Sequence, residues 1–334
     1  MTTSSIRWGI LGCGKIARKF AHDLALAPGS ELVAAGSHDG RSAKAFAQEF
    51  PVKKVHSSYQ SLVEDKDVDV IYVATPHGLH HEHTLLCLKH RKAVLCEKAF
   101  ALNQQQALEM IGMAKAEGIF LMEALWSKFL PHYQMLVQMI RENKLGPLEN
   151  VLINFGFVPT PPLADRIFDP SLGGGSLLDI GIYNVFFALS ALGKPDHIEA
   201  SMTPASTGVD EQCAVTFSYP NGAMAQLFSS FSSPLATEAD FSGKLGRLRL
   251  TRRFYEPSTQ IEFFPTSSTT GQLIPVEKES GWGYQYQIRH VQECLRKGLT
   301  ESPVMTHQDT LELMEVLDAI RKKAGIRYPA DQTL

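Results

Sequence analysis

A chain of 334 residues is too long for one typical core and fits two domains. With 44% hydrophobic and 20% charged residues and a formal net charge of −3, the composition is that of a soluble globular protein. It has no basic excess of the kind that binds nucleic acid or an anionic membrane, and no apolar run approaches the roughly 20 residues that span a bilayer. The start, Met1-Thr2-Thr3-Ser4-Ser5, lacks a basic region and an apolar region, so no signal peptide is expected. Five scattered cysteines, Cys13, Cys87, Cys96, Cys213 and Cys294, form no C-x-x-C pair and read as reduced thiols of a cytoplasmic protein.

The first predicted strand, Ile6–Leu11, runs into a G-x-G-x-x-A turn, Gly12-Cys13-Gly14-Lys15-Ile16-Ala17, and a helical pattern over Lys15–Leu26. Gly12 permits the tight turn, and Gly14 has no Cβ to keep a pyrophosphate away. Ala17 lets the helix pack closely on the strand, so that its N-terminal amides and dipole face the phosphates. This turn, placed between a strand and a helix, points to NAD(P) or a relative.

Further strands are predicted at Glu31–Gly36, Asp69–Ala74, Ala93–Glu97 and Ile119–Met122. Helices are predicted at Ser42–Phe50, His81–His90 and Gln104–Glu117, the last capped by Asn103. Near-continuous apolar strands alternating with helices imply an α/β fold: a Rossmann-type, doubly wound parallel sheet over residues 1–125.

Beyond Trp126 the pattern changes. A helix at Pro131–Asn143 precedes β-like runs at Leu148–Phe157, His197–Met202, Cys213–Tyr219, Met224–Phe231, Gly246–Leu250 and Ile261–Phe264, with Asn221-Gly222 as a hairpin turn. Helical stretches at Gly175–Leu192, Tyr284–Lys297 and Asp309–Ala324 interrupt and close this half. Residues 126–334 read as an α+β domain with a large, open, mostly antiparallel sheet, for substrate binding and oligomerisation. Its last helix is a candidate to return to the first domain. One face of the sheet needs a cover, and a second copy of the chain is the simplest one.

Three constellations carry possible chemistry. The fifth strand ends in Glu97-Lys98, and ligands of open α/β sheets bind at the carboxyl ends of strands; a solvated lysine is the equal alternative. The run Gly173-Gly174-Gly175-Ser176-Leu177-Leu178-Asp179-Ile180-Gly181-Ile182-Tyr183 leads into a helix. Its three leading glycines let the backbone pass close to something, and Asp179 and Tyr183, at i and i+4, share a face. A half-buried structural tyrosine is the plainer reading of Tyr183. The segment His77-Gly78-Leu79-His80-His81-Glu82-His83 lacks the H-E-x-x-H spacing and any nearby cysteine ligand, so His77 or His80 beside a cofactor is favoured over a metal site, and no metal is expected.

With these pieces in place the chain resembles the glucose–fructose oxidoreductase / inositol dehydrogenase / MocA (GFO/IDH/MocA) family over essentially its whole length. The motifs are the N-terminal glycine turn, Glu97-Lys98-Ala99 where the family has Glu-Lys-Pro, and the glycine-rich D-x-G helix ending in Tyr183. Tyr at this position resembles the trans-dihydrodiol dehydrogenases and glucose–fructose oxidoreductase; Ala93-Val94-Leu95-Cys96-Glu97-Lys98 and Leu121-Met122-Glu123-Ala124-Leu125-Trp126-Ser127-Lys128-Phe129 resemble the dihydrodiol dehydrogenase branch, and Glu301-Ser302-Pro303 before the last helix is in the style of the family.

The resemblance implies Tyr183 as acid/base, Lys98 as the cation that tunes it, and Asp179 as a positioning group. Trp126, Phe129, Phe155 and Arg166 are expected along the substrate wall. Gly12, Cys13, Gly14, Lys15, Ile16, Ser37, His38, Arg41, Thr75, His77, His80, Glu97 and Lys98 are expected around the cofactor. The family's Lys-Pro bond is often cis; with Ala99 following, where a cis bond costs about 2.5–4 kcal/mol, both isomers stay open.

After the second strand stands Gly36-Ser37-His38-Asp39-Gly40-Arg41, with no acid in its first positions, which favours NADP over the alternative, NAD. The expected activity is NADP-dependent hydride transfer on a vicinal diol or aldose, a sugar or a trans-dihydrodiol, by a cytoplasmic homodimer paired through the second domain's sheet. A non-catalytic NADP-binding sensor of the same fold is the alternative.

Overall fold

The computed structural model describes residues 5–333; Met1-Thr2-Thr3-Ser4, on which much of the signal-peptide expectation rests, lie outside the described residues. In chain order the elements are β1 (Ile6–Leu11), α1 (Lys15–Leu24), β2 (Ser30–Gly36), α2 (Arg41–Glu49), β3 (Lys54–His56), α3 (Tyr59–Val63), β4 (Val70–Val73), α4 (His80–Lys89), β5 (Ala93–Glu97), α5 (Gln104–Glu117), β6 (Leu121–Ala124) and α6 (Pro131–Arg141). There follow β7 (Leu148–Gly156), α7 (Leu163–Ile167), a π turn (Leu177–Gly181), α8 (Ile182–Leu192), β8 (His197–Pro204), β9 (Asp210–Ser218), β10 (Met224–Ser230), β11 (Ala239–Gly243), β12 (Gly246–Thr251), β13 (Gln260–Pro265), β14 (Gln272–Ile274), α9 (Tyr284–Arg296) and α10 (His307–Ala324). Two compact units form: residues up to Trp126 with Glu279–Leu311, and Ser127–Lys278 with the residues from Glu312 on.

In the first unit six strands pair in the order β3-β2-β1-β4-β5-β6, all parallel. The middle strands β4 and β5 are buried at every residue, as sequences such as Val-Ile-Tyr-Val require when helices cover both faces. Asn103 caps α5 as expected, accepting from the Gln106 amide at 2.9 Å.

Helix α9 packs against α1, and the carboxylate of Asp23, fully buried near the end of α1, fixes its entry. Asp23 accepts from the amides of Trp282 (2.9 Å) and Tyr284 (2.8 Å) and lies 2.9 Å from His22 Nδ1. The acid therefore stands at the N-terminus of α9, where the helix dipole favours negative charge.

In the second unit eight strands pair in the order β14-β13-β12-β11-β7-β10-β9-β8. Every pair is antiparallel except β7–β10. The inner face carries Val151, Ile153, Cys213, Val215, Phe217, Leu227 and Phe241, all buried, and α8 packs on β7 and β10. Gly222, at φ +86°, makes the β9–β10 turn that Asn221-Gly222 announces.

Five labelled elements carry no sequence signal strong enough to expect them. β3, β11 and β14 are short runs of three, five and three residues, and α3 and α7 span only five each. The helix expected over Gly175–Leu192 begins instead as a π turn, and only Ile182–Leu192 is α-helical. Pro170–Leu192 is long and apolar enough, by length and composition, to cross a bilayer, but 72% of its most apolar window is buried within the protein, so its apolarity serves the core.

Replacing Asp23 by Ala leaves the buried Tyr284 amide and the part-buried Trp282 amide without their acceptor. We expect Asp23→Ala to lower the unfolding free energy by about 2–4 kcal/mol, read from urea denaturation; an unchanged midpoint would show that α9 is held by packing alone.

Candidate active site

Parallel pairing puts the carboxyl ends of β1, β2, β4 and β5 along one edge of the first sheet, so the segments after them, far apart in sequence, become neighbours. Strand order reverses between β1 and β4, the crevice where ligands of such sheets bind. Gly12 sits there at φ +95°, and a Cβ on it would stand 3.0 Å from both the Ala74 carbonyl oxygen and Thr75 Cγ2. Its amide donates to the Gly36 carbonyl at 3.0 Å.

Around Gly14 the surroundings are the opposite: nothing lies within 4 Å of where its Cβ would stand. Gly14 is the N-cap of α1 and offers no side-chain cap, so the first amides of the helix face that open space. A dinucleotide's pyrophosphate fits this cradle. Cys13 beside it is buried, donates to the Gly36 carbonyl at 3.5 Å, and is pushed up to about 12 by burial, so it packs as a neutral thiol. Lys15 is exposed and Ile16 half-buried at the rim.

After β2, the Ser37 hydroxyl accepts from the Ala43 amide at 3.1 Å and caps α2. His38 and Arg41 are exposed. The Arg41 guanidinium reaches Asp39 at 2.5 Å, and Asp39 also accepts the Arg41 amide at 3.1 Å; these bonds hold the Asp39 carboxyl below its usual range.

After β4, Thr75 Oγ1 lies 3.0 Å from His83 Nδ1, and His77 is buried with its ring 5.7 Å from that of His80. His80 is fully buried between two carbonyl oxygens, those of Thr75 (Nε2, 2.7 Å) and Ala99 (Nδ1, 2.7 Å). Burial pushes its imidazole down to about 4, against the pull of the carbonyls toward the charged form. Its place is therefore between the two loops, tying the segment after β4 to the segment after β5. His81 pairs with Glu109 at 2.8 Å, so the histidine-rich segment is dispersed among separate partners.

After β5, buried Glu97 accepts from the Tyr72 hydroxyl and from the Lys98 amide (3.3 Å). Lys98 is half-buried, and the Lys98–Ala99 peptide bond is cis. Trp126 is buried and stacks on Tyr284, with ring centroids 4.6 Å apart and planes 6° apart.

In the second unit the π turn and the start of α8 carry Asp179 and Tyr183. Arg166, on α7, donates to Asp179 Oδ1 at 3.0 Å, with the two side chains 31% and 13% exposed. Tyr183 is buried in an aromatic group: its ring lies 4.8 Å from Tyr255 and 6.2 Å from Phe155, and Phe155 stacks on Tyr255 at 4.5 Å. Phe129 is half-buried. Sequence reasoning reached Phe155 but missed Tyr255, which follows β12 in a segment without a motif.

Residues 6–125 match an oxidoreductase family with an NAD-binding Rossmann fold, and residues 133–249 match the GFO/IDH/MocA C-terminal domain. The chain is 36% identical to the trans-1,2-dihydrobenzene-1,2-diol dehydrogenase of Sus scrofa over 338 residues, covering 98% of this chain and 99% of the relative. The Mus musculus enzyme of the same name matches to the same extent: 36% identity, with 98% and 99% covered.

Among solved structures, a 3-ketoreductase from Actinomadura kijaniata in complex with NADP and TDP-benzene superposes with a TM-score of 0.85 at 27% identity, covering 96% of this chain and 98% of that one. An aldose-aldose oxidoreductase from Caulobacter crescentus complexed with glycerol gives 0.87 at 26%, with the same coverage.

The two glycines of the first turn separate folding from ligand binding. Gly14→Ala should leave thermal stability nearly unchanged, because its Cβ meets only open space, yet weaken dinucleotide binding on the order of tenfold in a fluorescence titration. Gly12→Ala should lower stability by about 1–3 kcal/mol, since it forces a side chain into the left-handed region against backbone. Equal effects of the two on stability would contradict the assignment.

Proposed function

This chain belongs to the GFO/IDH/MocA oxidoreductase family and is an NAD(P)-dependent dehydrogenase, and on that premise we propose that it transfers hydride between NADP and a vicinal diol or aldose. The full-length similarity to dihydrodiol dehydrogenases carries this reading; the sugar arm draws on the similarity to an aldose-aldose oxidoreductase.

The turn Gly12-Cys13-Gly14-Lys15-Ile16 would hold the pyrophosphate. Ser37, His38 and Arg41 would surround a 2′-phosphate, and the absence of an acid in the first two positions after β2 supports NADP. Thr75, His77, Glu97 and Lys98 would line the remainder, with His80 acting through the loops whose carbonyls it holds. The bound nicotinamide supplies the hydride acceptor or donor.

Tyr183 takes the alcohol proton in oxidation and returns it in reduction. A free tyrosine titrates near 10 and is a poor base at neutral pH, so a cation must stabilise the phenolate; the Lys98 ammonium has that role and holds the substrate oxygen. Asp179 with Arg166 orients the neighbouring hydroxyl, and Phe155, Phe129 and Trp126 form the apolar wall. Structures similar to this chain include forms of the A. kijaniata 3-ketoreductase with a tyrosine changed to phenylalanine and with a lysine changed to alanine, the two residue types this mechanism uses.

The second unit then serves substrate binding and homodimerisation. The outer face of its sheet presents Leu152 and Met224, 45% and 43% exposed, beside a shallow depression over Gln226, Phe228 and Thr216, apolar surface of the kind a second copy would cover. Five unpaired, buried cysteines support a cytoplasmic enzyme.

Lys98→Met and Tyr183→Phe should each lower turnover at least ~100-fold with D-xylose or trans-1,2-dihydrobenzene-1,2-diol, while NADP titration changes little. Turnover retained in either variant overturns the pair, and a tenfold lower Michaelis constant for NAD than for NADP reverses the cofactor choice. In sedimentation the wild type should run as a dimer and Leu152→Glu as a monomer; a monomeric wild type removes the dimer.

A further inference from the structure

The glycines before Asp179 are held from several sides, all within the second unit. A Cβ on Gly174 would fall 2.5 Å from the Ile167 carbonyl oxygen and 2.8 Å from that of Asp169. Gly175, at φ +116°, has Asp210 Oδ1 2.1 Å from the same position. The backbone closes the turn, with the Gly174 amide bonded to the Asp169 carbonyl at 2.9 Å and the Gly175 amide to the Ile167 carbonyl at 2.8 Å. What these glycines approach is the protein itself.

Two side chains distant in sequence complete the hold. Asp210, at the start of β9 and fully buried, accepts through Oδ2 from the Leu177 amide (2.6 Å) and the Ser176 hydroxyl (2.9 Å), and Ser176 Oγ lies 2.9 Å from Ser229 Oγ on β10. Tyr328, beyond α10 and 2% exposed, donates its hydroxyl to the Gly174 carbonyl at 2.8 Å. Tyr328 is itself fixed: the Arg321 guanidinium lies 4.6 Å from its ring centre, and Asp331, which pairs with Arg321, accepts the Tyr328 amide at 2.8 Å.

This arrangement is costly by the standard of stability alone. The Asp210 side chain is buried, with no hydrogen-bond partner for Oδ1 among the described residues, and an apolar contact would fill the space without that desolvation. Its geometric effect is specific. The Leu177 amide is the first of the π turn, and its bond to Asp210 sets where that turn begins. A slip of one residue rotates every following side chain by about 100°, which would carry Asp179 and Tyr183 off their present faces.

We infer that Asp210 and Tyr328 are positioning residues for Tyr183, fixing the phase of the π turn and of the α8 start that carries it. The inference rests on the role proposed above for Tyr183.

Tyr328→Phe deletes one hydroxyl at constant bulk. Tyr219→Phe, which removes a like bond to the Gly193 carbonyl (3.0 Å) in the same unit, is the control. We expect Tyr328→Phe to speed amide exchange over residues 174–183 about tenfold and to lower kcat about tenfold with KM within twofold, as a misplaced acid/base does, while Tyr219→Phe changes neither. Asp210→Asn, which keeps an accepting oxygen, should hold kcat within about threefold, and Asp210→Ala should behave like Tyr328→Phe. Adding Tyr328→Phe to Tyr183→Phe should cost nothing further in kcat.

Unchanged exchange at 174–183, or unchanged kcat in Tyr328→Phe alongside a dead Tyr183→Phe, overturns the inference alone. A Tyr183→Phe enzyme that still turns over overturns the proposed function instead, and the exchange result then stands by itself. If Tyr328→Phe does not fold, Ser176→Ala, which cuts the hydroxyl link to Asp210, must show the same pattern for the inference to hold.

Discussion

The constraint on which the first unit depends is the parallel direction of its strands. Because β1, β2, β4 and β5 all run the same way, Gly12, Ser37, Thr75 and Lys98 emerge along one edge although dozens of residues separate them in sequence. No single loop could gather these groups, since each is short and anchored at both ends. The edge also has its own internal ties: His80 spans from the Thr75 carbonyl to the Ala99 carbonyl, and Glu97 receives the Tyr72 hydroxyl and the Lys98 amide. Lys98 therefore leaves the sheet from a backbone fixed on both sides, which suits the role proposed for it.

Much of this was legible in the chain. Apolar runs such as Val70–Val73 and Ala93–Glu97 mark buried parallel strands because a strand covered on both faces has no polar side to show. The glycine turn and the Asn103 cap are local devices and can be read locally. What escaped were elements whose reason lies elsewhere in the fold. β3 and β14 are three-residue strands at sheet edges, and β11, Ala-Asp-Phe-Ser-Gly, is a strand because its neighbours β7 and β12 offer it hydrogen bonds. The contacts of His80 could not be read from the chain, because a histidine in such a segment gives no sign of whether its ring faces a ligand or, as here, two carbonyl oxygens.

The second unit shows the same division. The D-x-G-x-Y pattern announced a helix with Asp179 and Tyr183 on one face, and the structure starts that segment as a π turn whose first amide bonds to Asp210. Burial pushes the Asp210 carboxyl up to about 7, and the bonds from Leu177 and Ser176 to Oδ2 resist that rise. Neither Asp210 nor Tyr328 carries a motif. Each is recognisable only after β9 and the residues following α10 have been laid against the glycines.

The two glycine clusters make the limit concrete. At Gly14 the missing Cβ leaves empty space, and a larger residue would fold there while obstructing whatever enters from outside. At Gly174 and Gly175 the missing Cβ leaves room for Ile167, Asp169 and Asp210, and a larger residue would collide with the protein's own backbone and a buried carboxyl. Sequence treats these as one signal, since glycine records only that something must come close. The structure separates them by what surrounds the position: nothing lies within 4 Å at Gly14, and an oxygen stands at 2.1 Å at Gly175. At Gly174 and Gly175 the glycine therefore answers the protein's own packing, whereas at Gly14 packing imposes no such demand.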